Sequence, residues 1–107
     1  MARLCELTCK ACRGEADRLS AEQARQLLGQ LKGWELIEGD RLRKAFKFPD
    51  FASALAFVNR VGALAESQQH HPDIFLAWGR VRIELFTHKV KGLTESDFVL
   101  AAKLDEL

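Results

Sequence analysis

Two periodicities alternate along the chain. From Ser20 the apolar residues Ala24, Leu27, Leu28 and Leu31 recur at the spacing of one helix face, and Gly33 is placed to end that helix. Ser20 and Gln23 form a capping-box pair at its start. The period then shortens to that of a strand: Trp34 to Ile37, a turn at Glu38-Gly39-Asp40, and Arg41 to Phe48 with Leu42, Ala45 or Phe46, and Phe48 as apolar positions. Pro49 stops the second strand and Asp50 caps the next element. From Phe51 to about Gln69 the residues Phe51, Ala54, Leu55, Val58, Val61, Gly62 and Ala65 make a broad helical stripe. Pro72 disfavours helical geometry at His71, which places His71 at the helix exit.

A second hairpin follows. Ile74 to Trp78 and Val81 to Phe86 are strand-like, with a turn at Gly79-Arg80. Val81, Ile83 and Leu85 share one face, and Arg82, Glu84 and Phe86 the other. A loop from Lys89 to Leu93 precedes Thr94-Glu95-Ser96-Asp97, another capping signature, and Leu100, Ala101 and Leu104 stripe the last helix. The predicted order is α-β-β-α-β-β-α: an α+β fold whose hairpins merge into a four-stranded antiparallel sheet with helices packed on one face. The last helix is short and its stripe modest, so a partner subunit is expected to cover it. Residues 1–19 show no period and are expected to be an irregular lead-in tied down at Leu4 and Leu7; residues 20–107 form one domain.

Composition narrows the class. With 107 residues, 48% hydrophobic and 29% charged, the chain suits one small soluble domain with a modest core, for which assembly into a homodimer or homotetramer is a natural supplement. The net charge of +1 and the lack of a basic block argue against a nucleic-acid footprint. No apolar run approaches a membrane span, and the N-terminus lacks the apolar core of a secretory signal, so a cytoplasmic location is expected. Cys5, Cys9 and Cys12 are odd in number, which argues against a closed disulfide framework. Their spacing matches the iron–sulfur motif of radical enzymes that use S-adenosylmethionine, but those enzymes need a far larger barrel. Zinc would want a fourth ligand, and no histidine lies nearby. Reduced surface thiols remain the simpler reading.

The candidate chemistry lies between Glu66 and Asp97, a stretch that holds every histidine of the chain. His70 and His71 are adjacent at the helix exit, and His88 closes the last strand, so the hairpin returns it toward the other two. Glu66 stands one helical turn before His70. Imidazole gives or takes a proton near neutrality, so three together suggest proton transfer or a metal. Each residue also has a plainer reading. Histidines suit a helix C-terminus, Glu66 suits a solvated face, Trp34 suits a core, and Asp97 suits the third helical position beside Thr94.

Taken together, Glu66, His70-His71-Pro72, Trp78, His88 and Asp97 resemble the signature of the pterin-4a-carbinolamine dehydratase family. The resemblance runs from about Ser20 to the C-terminus and includes Gly33-Trp34 and Lys91-Gly92-Leu93-Thr94; Cys9-Lys10-Ala11-Cys12 looks like the lead-in of bacterial members. It implies dehydration of 4a-hydroxytetrahydrobiopterin to quinonoid dihydropterin, in tetrahydrobiopterin recycling, without metal or organic cofactor. It implies functional coupling to an aromatic amino-acid hydroxylase such as phenylalanine hydroxylase. By position, His70, His71 and His88 would form the acid–base set. Glu66, Trp34, Trp78 and Asp97 would bind or frame the pterin. Gln69 departs from the acidic residue that many members carry before the histidine pair.

Two other functions compete. Some members of that family serve as dimerisation partners of a transcription factor through a helical surface, here the last helix from Thr94 to Leu107. A metal-dependent hydrolase using the three histidines and Glu66 is the other, although adjacent histidines on extended chain rarely reach one ion.

Overall fold

The computed structural model describes residues 4–6 and 18–107; Cys9, Cys12 and Leu7 lie outside them. Within that span the elements are α1 (Ala21–Leu28), β1 (Glu35–Ile37), β2 (Arg41–Lys47), α2 (Phe51–Gln68), β3 (Asp73–Ala77), β4 (Arg80–Leu85) and α3 (Glu95–Leu104), with short 3-10 turns at Leu4–Glu6 and His88–Val90. The strands form one antiparallel sheet in the order β1-β2-β4-β3. The second hairpin therefore inserts β4 beside β2 and leaves β3 at the edge.

The register fixes which side chains go inward. Leu42 opposes Leu85 and Phe46 opposes Val81, while Ile74 and Lys44 flank Ile83 on the same face. Leu42, Val81, Ile83 and Leu85 are fully buried, and they meet Ala54, Phe57 and Val61 of α2 and Phe98 and Leu100 of α3. Phe46, not Ala45, is thus the inward residue of β2. Phe57 completes the α2 stripe, whereas Phe51 and Leu55 remain exposed.

Local chemistry explains the boundaries. Ser20 accepts from the Gln23 amide at 3.1 Å while Gln23 Oε1 accepts from the Ser20 amide at 2.9 Å, so α1 begins as the capping box requires. It ends earlier than the apolar spacing implies, at Gly29 instead of Gly33. Gln30 and Leu31 continue only through tighter bonds to Leu27 and Leu28, because glycine is a poor helix former and releases the α-helical ladder. Gly33, at φ +80°, instead turns the chain into β1. The second hairpin turns on Trp78-Gly79, one residue before the expected pair, since Ala77 already opposes Arg80. A Cβ at Gly79 would lie 2.9 Å from the Phe48 carbonyl oxygen, which is why that position has no side chain.

The role of α3 differs from expectation. Phe98, Val99, Leu100 and Ala101 are consecutive and all buried, so the helix is enclosed on every side and needs no partner subunit to cover it. The 3-10 turn at Leu4–Glu6 closes its outer side: Leu4 is buried, and Lys103 donates to the Cys5 carbonyl at 2.9 Å. Among the described residues the large exposed apolar side chains are Phe51 and Leu55 of α2, Phe75 of β3, Trp78 and Leu107.

Two expectations test this architecture. Phe98→Ala should lower stability in urea unfolding by about 3–5 kcal/mol, while Phe75→Ala, at an exposed position where the ring carries Arg82, should lower it by only about 0.5–1 kcal/mol. Asp50 caps α2 by accepting from the Ser53 amide at 2.7 Å, and hydrogen bonds from the backbone and side chain of Ser53 hold its carboxyl below the usual carboxylate range. A carboxylate depressed in the folded state stabilises above its unfolded pKa and stops doing so as pH falls through the folded one. Asp50→Ala should therefore lower the melting temperature near neutrality, with the deficit closing as pH falls through the depressed folded-state pKa.

Candidate functional site

The site is built where the ends of α2, β4 and α3 meet. α2 stops at Gln69, which adopts the left-handed conformation at φ 53°. Its amide still reaches the Glu66 carbonyl at 3.2 Å, and its side-chain amide donates to the same carbonyl at 2.8 Å. That one reversed residue sends the next two side chains in different directions. His70 turns inward, with its own amide bonded to the Ala65 carbonyl at 3.2 Å, and His71 turns outward into the approach to β3.

His70 Nε2 lies 2.6 Å from Asp97 Oδ1. Asp97 sits in the first turn of α3 and is 0% exposed. Its second oxygen accepts from the Thr87 hydroxyl at 2.6 Å and from the Thr94 amide at 2.9 Å, while the two threonine hydroxyls lie 3.1 Å apart. The capping pair expected at Thr94 and Asp97 is therefore present, and the same carboxylate also holds His70. His70 itself is 14% exposed, so one edge of its ring reaches the surface.

His71 Nε2 is hydrogen-bonded to Glu66 Oε2. Both partners are open to solvent, at 58% and 72% exposure. Glu66, one helical turn before His70 in the sequence, meets His71 instead: the helix ends at Gln68, so the turn that would align Glu66 with His70 is never completed. His88 begins a 3-10 turn instead of closing the strand, because β4 ends at Leu85 and Thr87 pairs with Gly92. The chain does return to the histidine end, since Thr87 bonds to Asp97. The exposed His88 ring packs edge-on against Phe86 at 4.8 Å between centroids, and Arg41 lies 5.2 Å from the centroid of the Phe86 ring.

The two tryptophans go elsewhere. Trp34 is buried, donates from Nε1 to Asp105 Oδ2 at 3.0 Å and stacks edge-on with Phe46. Asp105 lies eight residues along α3 from Asp97, roughly 12 Å at helical rise, so Trp34 belongs to the opposite end of the helix. A cleft of about 520 Å³ opens there beside Leu31, Lys44 and Asp105, and none of the histidines lines it. Trp78 stands on the β3–β4 turn with 68% of its surface exposed, five residues from Asp73 and so roughly 17 Å from the histidine end. Its spacing in the sequence motif reports hairpin length, not contact with the imidazoles.

Thr87 was not singled out by sequence reasoning. A strand-end threonine is ordinary, and only the buried carboxylate opposite gives it significance. The signal that could have found it was its place directly before His88 at the strand's end. Among the described residues no three His, Cys, Asp or Glu side chains converge as metal donors, and no described helix is long and apolar enough to cross a membrane.

The chain is similar to known proteins in sequence and fold. A family model described as pterin 4 alpha carbinolamine dehydratase matches residues 17–107. Curated relatives provisionally named pterin-4-alpha-carbinolamine dehydratase include one from Rubrobacter xylanophilus, 53% identical with all of both chains covered. Another, from Nitrosococcus oceani, is 47% identical and covers all of this chain and 97% of its own. Among solved structures, a transcriptional coactivator/pterin dehydratase from Brucella melitensis superposes with a TM-score of 0.78 at 36% identity, over 83% of this chain and 96% of that one. A pterin dehydratase-like RuBisCO assembly factor of the alpha-carboxysome reaches 0.54 at 30% identity, over 62% and 76%. With a family model matched over residues 17–107 and relatives that align over nearly its whole length, the chain belongs to the pterin 4 alpha carbinolamine dehydratase family.

Proposed function

We propose that the chain is a lyase that removes water from a 4a-hydroxytetrahydropterin, giving the quinonoid dihydropterin. The observation that carries this reading is the pairing of His70 with buried Asp97 and of His71 with exposed Glu66 at one rim of the sheet. In the reaction the bond from carbon 4a to the hydroxyl breaks, a proton is delivered to the departing oxygen, and the N5 proton is removed. No covalent intermediate is needed, so the demand on the protein is for an acid and a base on opposite sides of one flat ring system. Imidazoles meet that demand near neutrality and contribute about 10²–10⁴-fold. His70, His71 and His88 supply the set, with Glu66 orienting His71 and Asp97 orienting His70. Trp34 and Trp78 are left out, because their surroundings lie away from this rim.

The family names support the pterin as substrate. Coupling to an aromatic amino-acid hydroxylase such as phenylalanine hydroxylase follows from the source of that substrate, and a cytoplasmic location suits both partners. Assembly into a homodimer or homotetramer would use the exposed apolar side chains of α2 and β3, since α3 is already enclosed. The same holds for a protein-binding role of the kind that the names of the two solved relatives report: the last helix offers no free apolar face for it.

The test is stopped-flow loss of 4a-hydroxypterin absorbance. The protein should accelerate dehydration over the buffer blank, and no acceleration would end this reading. His70→Ala, His71→Ala and His88→Ala should each cut kcat by about 10²–10⁴-fold. Stability separates the two carboxylates. Asp97→Asn should cost about 1–3 kcal/mol because it leaves buried donors facing an amide, whereas Glu66→Gln should lower activity without measurable loss of stability, its pair being solvent-exposed.

A further inference from the structure

With Asp97 ionised, the hydrogen bonds around it have only one consistent set of directions, and that set determines which nitrogen of His70 carries a proton. The Thr94 amide can only donate, and it lies 2.9 Å from Asp97 Oδ2. The Thr87 hydroxyl, 2.6 Å from the same oxygen, donates to it as well. Having used its one proton there, Thr87 Oγ1 can only accept from the Thr94 hydroxyl, 3.1 Å away. Two donors converge on Oδ2 of an acceptor-only carboxylate, so Oδ1 faces His70 Nε2 as an acceptor. Nε2 must then hold the proton, and Nδ1 of the neutral ring is left as a lone-pair acceptor.

We infer that Thr87 is a positioning residue: its hydroxyl holds the Asp97 carboxylate in the orientation that presents Oδ1 to His70 Nε2, which keeps the proton on Nε2 and leaves Nδ1 as the atom that takes a proton from the substrate. This rests on the dehydratase reading for its last step only; the tautomer is a property of the protein alone. It also divides labour within the pair of histidines. The proton acceptor sits on a buried, directionally ordered relay. His71, on an exposed carboxylate, is free to exchange protons with water. A threonine is suited to this place. Its hydroxyl is 6% exposed with the rest of the residue, so no water competes for Oδ2, and it stands at the Thr87–Gly92 bridge, where backbone bonds in both directions pin it.

The experiment is a long-range proton–nitrogen NMR spectrum of the histidine rings in the full chain at a pH where His70 is neutral, read beside dehydration kinetics. The wild type should show His70 protonated at Nε2 and bare at Nδ1. Thr87→Val keeps the shape and removes the donor; the other tautomer should become populated. kcat should fall at least about tenfold and by no more than the 10²–10⁴ that such proton transfer supplies, with KM little changed. Thr87→Ser, which restores the hydroxyl, should restore both the spectrum and kcat. A wild-type His70 protonated at Nδ1 overturns the inference without any variant being made. An unchanged tautomer in folded Thr87→Val overturns it too, and if that variant fails to fold, a Thr87→Ser protein lacking the Nε2–H signature does the same. The expected spectra in a protein that does not accelerate dehydration would sustain the role of Thr87 and sink the dehydratase reading instead.

Discussion

A carboxylate with no exposure to solvent governs this structure. Burying an ionised Asp97 without partners would cost several kcal/mol, and the fold meets that cost with donors from separate places in the sequence: Thr87 after β4, Thr94 at the start of α3 and His70 after α2. None of these is a neighbour of another in the chain beyond the capping pair. The ends of α2, β4 and α3 are consequently tied to one point. The apolar core brings the layers together without direction, whereas hydrogen bonds to a single carboxylate require particular angles at particular atoms. The histidine rim is thus a consequence of how the layers close.

The second histidine–carboxylate pair shows what burial changes. His71 and Glu66 are joined by the same chemistry as His70 and Asp97, yet both stand in water. An exposed pair of this kind contributes about 0–1 kcal/mol and weakens with salt. It constrains little and can rearrange around a ligand. One imidazole is therefore part of the frame and its sequence neighbour is mobile by comparison, a difference produced by the single left-handed residue, Gln69, between α2 and the pair.

Much of this was legible in the sequence. Alternation along β2 and β4, the proline at position 72 and the two capping signatures predicted the order of elements and the return of the chain to the histidine end. The misses have physical causes. Gln69 was unreadable as a left-handed cap because glycine and asparagine are the usual residues there, and without it the sequence left open which imidazole Glu66 meets. The modest stripe of α3 suggested that a partner subunit would cover it, yet a helix buried on successive sides shows little stripe for the opposite reason, that it is enclosed. Trp34 and Trp78 accompany the histidines in sequence spacing only. Spacing encodes the length of helix and hairpin as faithfully as it encodes contact, and it does not distinguish the two.

The outer face of the sheet completes the account of why Thr87 can hold its place. Glu84, two residues before the last inward side chain's successor on the same strand, is only 11% exposed, and Arg41 grips it at 3.1 Å and Arg82 at 3.3 Å. The hydrogen bond with Glu84 is the main reason the Arg41 guanidinium binds its proton more tightly than usual. Each of those guanidiniums also lies on an aromatic ring, Arg82 on Phe75 at 4.3 Å and Arg41 on Phe86 at 5.2 Å. Leu85, next along, is fully buried on the opposite face. The end of β4 is therefore clamped outward by a charged lattice and inward by the core, immediately before the threonine whose hydroxyl faces Asp97. A threonine on a fraying strand end would sample many positions, and its bond to the carboxylate would be one of several. Held from both faces, it has one, and the direction of its proton becomes a structural property of the site.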